Sequence, residues 1–150
     1  QALLDKVLAA RTFNSGFATV EFTSSALVDM AFHTRGPVDD PMAVQAEVLD
    51  NIGLPKSIVM RHATPHFQHV FSGGGYSAGY YSYMWSEVLD ADAFSAFTET
   101  GDAFNPQMAA RLKTYIYSVG GSVDPEDAYK AFRGKLPSPE AMLEKKGLAA

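Results

Sequence analysis

The sequence predicts a mainly α, multi-helical fold, and three observations carry that prediction. Four turns place a capping residue before a proline, at Asp40-Pro41, Asn105-Pro106, Asp124-Pro125 and Ser138-Pro139. A short polar side chain there accepts from the free N–H groups of a starting helix, and proline at the first helical position gives up an N–H that has no helical partner. Glycines at Gly36, Gly53, Gly101, Gly120, Gly134 and Gly147 stand where segments close, the position of a left-handed C-cap. Apolar residues then recur at helical spacing, as Phe17, Val20, Leu27, Met30 and Ala31, and again as Met108, Leu112, Tyr115 and Ile116.

Together these signals place helices near 2–12, 16–34, 41–52, 77–99, 106–118, 125–133 and 139–146. No run alternates cleanly enough to read as a strand. No repeat, linker or low-complexity tract interrupts the chain, so it reads as a single segment over 1–150. It starts at Gln1 and enters the pattern ALLDKVLAA without an initiator methionine, the start expected of a cut inside a larger protein.

Composition narrows the function classes. At 47% hydrophobic and 12% aromatic, the chain has the apolar content for a real core. Its 12 Lys and Arg are scattered and the net charge is -5, which leaves no basic stripe for a phosphate backbone, so nucleic acid is not an expected partner. No apolar run has the length of a membrane span. The absence of cysteine removes thiol catalysis and thiolate metal sites and fits a reducing, cytoplasmic compartment.

Chemistry-bearing residues concentrate in 60–92, which holds three of the four histidines, the tryptophan, and four tyrosines within eight positions (Tyr76, Tyr80, Tyr81, Tyr83). At about 100° per residue, a helix through this run puts Tyr76, Tyr80 and Tyr83 on one stripe, with Glu87 near it, and Tyr81, Trp85 and Val88 on the opposite, core-forming side. A row of desolvated phenols needs partners: either a substrate carbonyl or oxyanion, or backbone carbonyls in a helix interface. The glycines Gly73, Gly74 and Gly75 either let backbone approach a ligand or form a plain turn. They are no phosphate loop, because no Lys-Ser/Thr follows.

His62 and His66 have i, i+4 spacing and His69 lies close by, but Pro65 breaks the helix that a metal site would require, and no glutamate general base sits between the first pair. No metal ligand is therefore assigned in this chain. A histidine beside a tyrosine run reads either as a hydrogen-bond donor to substrate or as a structural residue. His33, ending a helix, reads as a cap or surface residue.

The run FQHVFSGGGYSAGYYSYMWSEVLDADAF, from Phe67 to Phe94, resembles the cleft-lining segment of the thimet oligopeptidase family of zinc metallopeptidases, and looks closest to its peptidyl-dipeptidase branch. The opening LLDKVLAARTFNSGFATVEFTSSALVDMAFH and the ending GGSVDPEDAYKAFRGKLPSPEAMLEKKGL are similar to the segments on either side, so the resemblance covers nearly the whole chain. It departs at Gly74, where close relatives are expected to carry a residue other than glycine.

The resemblance implies the C-terminal part of a two-lobed, neurolysin-like zincin fold. Zinc would be held by an HExxH motif and a downstream glutamate, with the upstream part of the same polypeptide supplying ligands and general base, since no HExxH occurs here. It further implies that His69 and Tyr83 stabilise the oxyanion, that Tyr76 and Tyr80, with Gly74 and Gly75, contact substrate, and that the substrates are short peptides. In the peptidyl-dipeptidase branch the products are C-terminal dipeptides, and endo-cleavage is the sister activity. Gripping a terminal carboxylate needs a cation or hydrogen-bond donor, for which Arg61 and His62 are the candidates. The isolated chain is expected to be inactive. The alternative is a non-catalytic helical interaction module that keeps the fold without the zinc site.

Overall fold

The computed structural model describes residues 1–149. Helices run in the order α1 (Ala2–Ala10), α2 (Ser15–Thr34), α3 (Pro41–Asn51), a single 3-10 turn (Thr64–His66), α4 (Gln68–Phe71), α5 (Ser82–Thr98), α6 (Pro106–Leu112) with a π turn on its end (Lys113–Tyr117), α7 (Pro125–Arg133) and α8 (Glu140–Lys145). There is no strand among the described residues.

Three of the four expected caps form as anticipated. Asp40 accepts from Met42 and Ala43 N–H, Asn105 from Met108 N–H and Asp124 from Glu126 N–H. At the fourth, Pro139 itself takes the cap position and α8 starts one residue later, without a side-chain cap. The six glycines expected to be left-handed are the glycines with positive φ among the described residues, and Gly134 at φ 82 closes α7 as its C-cap. The large departure is at α5: the helix expected from 77 starts at Ser82, and 72–81 is a succession of turns.

Two compact units divide the chain, Gln1–Met84 and Trp85–Ala150. Their junction falls inside α5, which explains why no linker composition marks it.

In the first unit α2 packs on α3, and α3 on the 3-10 turn. Val28, Val48, Met60, Phe67, Val70 and Tyr80 form the core, with Phe22, Phe32 and Leu49 around them. Gln45 of α3 is buried, and its Oε1 accepts from both the N–H and the hydroxyl of Thr64 at 2.8 Å, fixing the 3-10 turn to the helix.

The buried face of α2 differs from the apolar stripe the spacing predicts. Phe17, Val20 and Leu27 are exposed, whereas Ser24, Ser25, Val28 and Asp29 are buried. The serines return their hydroxyls to the helix's own carbonyls, Ser24 to Val20 O at 2.7 Å, so two small polar residues enter the core without an unpaired donor. No residue of α1 is buried, and Leu3, Leu4, Val7 and Leu8 face outward.

In the second unit the core is Ala96, Tyr129 and Phe132, bordered by Leu89, Ala93, Phe97, Met108, Leu112 and Ile116. The later apolar spacing thus does mark a packed face. Helix α7 buries Ala128, Tyr129 and Phe132 on one side, and Arg111 donates to the carbonyls of Ala131 and Phe132 at its C-terminal end, where carbonyls lack helical donors. Tyr81 and Trp85, expected as core, are exposed.

A polar network crosses this second core. The Tyr129 hydroxyl donates to Asp92 Oδ2 at 2.7 Å, and Arg133 reaches both the buried Asp92 at 3.2 Å and the exposed Glu99. Removing one member of a buried ion pair strands the other in a poorly solvated site, whereas an exposed carboxylate contributes little. Arg133→Met is therefore expected to lower unfolding free energy by about 3 kcal/mol and Glu99→Ala by less than about 1 kcal/mol. Urea titration of the two variants checks this ranking.

Burial, the hydrogen bond to Asp92 and the charge of Asp92 push the Tyr129 phenol well above its ordinary value of 10.0. The folded chain favours the protonated phenol, so this contribution is complete below about pH 10 and declines above it, where the unfolded tyrosine ionises first. Wild type should lose stability as pH rises above about 10, and Tyr129→Phe should lose measurably less over the same rise.

Candidate functional site

The expected site residues meet in the first unit, on a frame made by α2, α4, the turns of 72–81 and the first turn of α5. His69 stands on α4 and Tyr83 at the start of α5. His69 Nε2 lies 3.1 Å from the Tyr83 hydroxyl. Tyr76 sits edge-on to His69, with ring centroids 4.5 Å apart, and stacks parallel to Tyr83 at 5.9 Å and 7°. Tyr76 is 43% and Tyr83 44% exposed, so an imidazole and two phenols share one solvent-facing cluster.

The grouping of the phenols is as the spacing suggests, but its cause is not. Tyr76 and Tyr80 lie on turns rather than on the helix, and the stripe drawn for a continuous helix does not exist. Gly79 N–H bonds to Tyr76 O and Ser82 N–H to Gly79 O, two tight turns that double the chain back. Tyr80 goes inward: it is 8% exposed, stacked on Phe22 at 5.0 Å and edge-on to Phe67 at 5.0 Å. It forms the floor beneath His69 and Tyr83, at 5.4 and 5.6 Å.

The glycines divide in the same way. Gly74 and Gly75 are exposed, do not adopt positive φ, and an added Cβ would meet nothing within 4 Å. The closest fit is at Gly79, where an added Cβ would stand 3.3 Å from Tyr76 O.

Arg61 and His62 border the cluster from the other side. Arg61 is exposed and loosely paired with Glu21 at 3.4 Å. His62 stacks on Phe67 at 5.1 Å and is edge-on to Tyr80 at 5.9 Å. Burial first, and then the neighbouring Arg61 and His69, depress its pKa, against the opposing charge of Glu21. The adjacent Tyr76 hydroxyl, with some burial, pushes the Tyr83 phenol up, and it keeps its proton through the neutral range as a donor must. Burial pushes Tyr80 up as well. A hollow of 580 Å³ beside α4 is lined by residues from Thr64 to Ser72 and includes none of the tyrosines.

What the sequence reading missed is the group that shapes the turn. Asp29 of α2 is 0% exposed, and its Oδ1 accepts from Ala78 N–H at 3.0 Å while Oδ2 accepts from Tyr80 N–H at 2.9 Å. His33, read from sequence as a cap or surface residue, holds its Nδ1 2.8 Å from Asp29 Oδ1. Ala78 lies at φ 57, a left-handed conformation that costs a residue with a Cβ about 1 kcal/mol. A signal was present in the sequence: Asp29 is the lone charge in the run SSALVDMAF, and a buried carboxylate demands donors.

The donor set does not make a zinc site. Among the described residues no three His, Cys, Asp or Glu side chains gather to hold an ion, and His69 Nε2 is directed at Tyr83. No helix among the described residues is long and apolar enough to cross a membrane.

The family described as Peptidase family M3 matches residues 1–148. Oligopeptidase A of Escherichia coli (strain K12) is 39% identical over 97% of this chain and 22% of its own length. Dipeptidyl carboxypeptidase of the same organism is 38% identical over the same shares, and probable cytosolic oligopeptidase A of Arabidopsis thaliana is 36% identical over 97% of this chain and 21% of its own. The chain thus spans about a fifth of the length of these relatives. With nearly every residue matched and the helical architecture as expected, the chain belongs to peptidase family M3.

Proposed function

We propose that this chain forms one wall of the peptide-hydrolysing cleft of a zinc metallopeptidase whose metal ligands and general base lie upstream in the same polypeptide. The observation that carries the reading is the solvent-facing His69 and Tyr83 pair at 3.1 Å, backed by Tyr76 and floored by Tyr80. At this distance one of the two donates to the other, and a substrate oxygen entering between them can take over that bond and receive both the imidazole N–H and the phenol O–H. When water adds to a scissile carbonyl, that oxygen gains charge, and preorganised donors stabilise the transition state more than the ground state.

Tyr76 takes the part of a substrate-positioning residue, with its ring stacked on Tyr83 and its edge open to solvent. The buried Tyr80 contributes by supporting the two donors from below. Gly74 and Gly75 leave an unobstructed surface beside Tyr76 along which an extended peptide can pass.

The substrates of this reading are short peptides, released as C-terminal dipeptides. Relatives named for oligopeptidase and for dipeptidyl carboxypeptidase activity are equally similar to this chain, so the choice rests on the carboxylate grip. Of the two candidates for that grip, Arg61 is the stronger. Its guanidinium is exposed and only loosely paired, whereas His62 is stacked on Phe67 with its pKa depressed by burial. The proposed setting is the cytoplasm.

One observation favours a second reading, a non-catalytic helical interaction module: the exposed apolar face of α1 and the start of α2, including Leu3, Val7 and Phe17. The reading frame upstream of Gln1 discriminates, because an HExxH motif there supports the peptidase and its absence supports the module.

Three outcomes test the peptidase reading. The isolated chain with added zinc should not cleave a quenched peptide, and zinc-dependent turnover would overturn the assignment of the ligands. In the complete peptidase, Tyr83→Phe should lower kcat by roughly 10- to 1000-fold with KM little changed; a rise in KM alone would mean a binding role. Arg61→Ala should raise KM about 10-fold for peptides with a free C-terminus and leave amidated peptides unaffected.

A further inference from the structure

In the turn carrying Tyr76, Ala78 is held in a conformation that a residue with a Cβ does not favour. The spacing around SAGYY reads as the start of a helix, yet α5 begins only at Ser82. Were the helix continuous, Tyr76 and Tyr83 would stand seven residues apart, about 10 Å along the axis. Their rings instead stack with centroids 5.9 Å apart. Ala78 occupies the left-handed region without being a glycine.

The long-range group that holds the backbone of this turn is a buried carboxylate. The tight turns use Gly79 N–H and Ser82 N–H, while the N–H groups on either side of Gly79, those of Ala78 and Tyr80, both donate to the Asp29 carboxylate. His33 Nδ1 bonds to the backbone carbonyl of Asp29 at 2.8 Å and lies equally close to Oδ1. Ser77 adds a hydroxyl bond to Val70 O at 2.9 Å, tying the same turn to the end of α4 that bears His69.

We propose that Asp29 is a positioning residue for the His69 and Tyr83 site. Its carboxylate grips two amides of the 76–81 turn, prevents α5 from extending towards its N-terminus, and so keeps Tyr76 stacked against Tyr83 and Tyr80 beneath both. Asp29 touches no substrate; it acts through the turn. His33, bonded to the Asp29 carbonyl, stands beside that carboxylate. The catalytic consequence rests on the peptidase reading, whereas the structural one does not.

Two amides and a helix start give direct readouts in the 150-residue chain. In the unaltered chain, Ala78 and Tyr80 N–H should exchange with solvent at least about 100-fold slower than the exposed Gly74 and Gly75 amides. Exchange at the rate of those glycines overturns the proposal without any variant having to fold. In Asp29→Asn, NMR carbon shifts over 77–81 should move towards helical values and the contacts between the Tyr76 and Tyr83 rings should disappear. Adding Ala78→Gly to that variant should restore part of those contacts, because glycine enters positive φ freely and disfavours helix extension. A folded Asp29→Asn chain with unchanged ring contacts overturns the proposal.

Kinetics of the complete peptidase separate this idea from the reading beneath it. Asp29→Asn should lower kcat about 10-fold with KM little changed, and should cost little more once Tyr83→Phe is present, because both act on one donor. Full additivity of the two substitutions would place the effect of Asp29 elsewhere and overturn its assigned role. If Tyr83→Phe alone leaves turnover intact, the peptidase reading fails while the exchange and NMR results still decide the role of Asp29.

Discussion

The first unit depends on how a single buried carboxylate meets its donors. Asp29 lies at 0% exposure on a helix face otherwise made of serine, alanine and valine, and a charge in that position is tolerated only if donors surround it. Two come from the backbone of a turn about fifty residues later, and His33 on its own helix, bonded to the Asp29 carbonyl, stands 2.8 Å from Oδ1. Satisfying the charge therefore sets the tertiary arrangement. The turn comes to α2, α5 starts at Ser82, Tyr80 drops into the core, and Tyr76 folds over Tyr83. Polar satisfaction and the layout of the candidate site are one constraint seen from two ends.

The second unit uses the same device for a different purpose. Asp92 is buried and shared by the Tyr129 hydroxyl and the Arg133 guanidinium, with Glu99 taking the outer side of the arginine. Here the network joins α5 to α7 across an apolar core and presents no phenol or imidazole to solvent. Arg111, donating to the last carbonyls of α7, closes the same helix from outside. Burying a polar network does not by itself make a functional site. What distinguishes the first unit is that the turn held by its carboxylate carries Tyr76, stacked beside the exposed His69 and Tyr83.

Local signals were legible wherever the physics is local. The helices at 41–51 and 125–133 begin at an Asp-Pro pair and end within a residue or two of a left-handed glycine, because capping and positive φ are decided by a handful of neighbouring atoms. The π turn at Lys113–Tyr117 and the short helices at 64–66 and 68–71 leave no comparable mark, being too short to show a period. Burial was read less well. Phe17, Val20 and Trp85 are exposed and Ser24, Ser25 and Asp29 are not, since periodicity reports which residues share a face but not which face finds a neighbour.

By itself the sequence determined the helical class, the caps and turns that divide the helices, the family resemblance, and the set of residues that gather at the candidate site. The tertiary structure decided how they gather: that Tyr76 and Tyr80 leave the helix, that one phenol becomes floor and two stay open, and that Gly79 rather than Gly74 or Gly75 is the closely fitted glycine. The reason is that helix propensity in SAGYY is worth only tenths of a kcal/mol per residue, whereas an unpaired buried carboxylate costs several, so the distant Asp29 overrides the local preference.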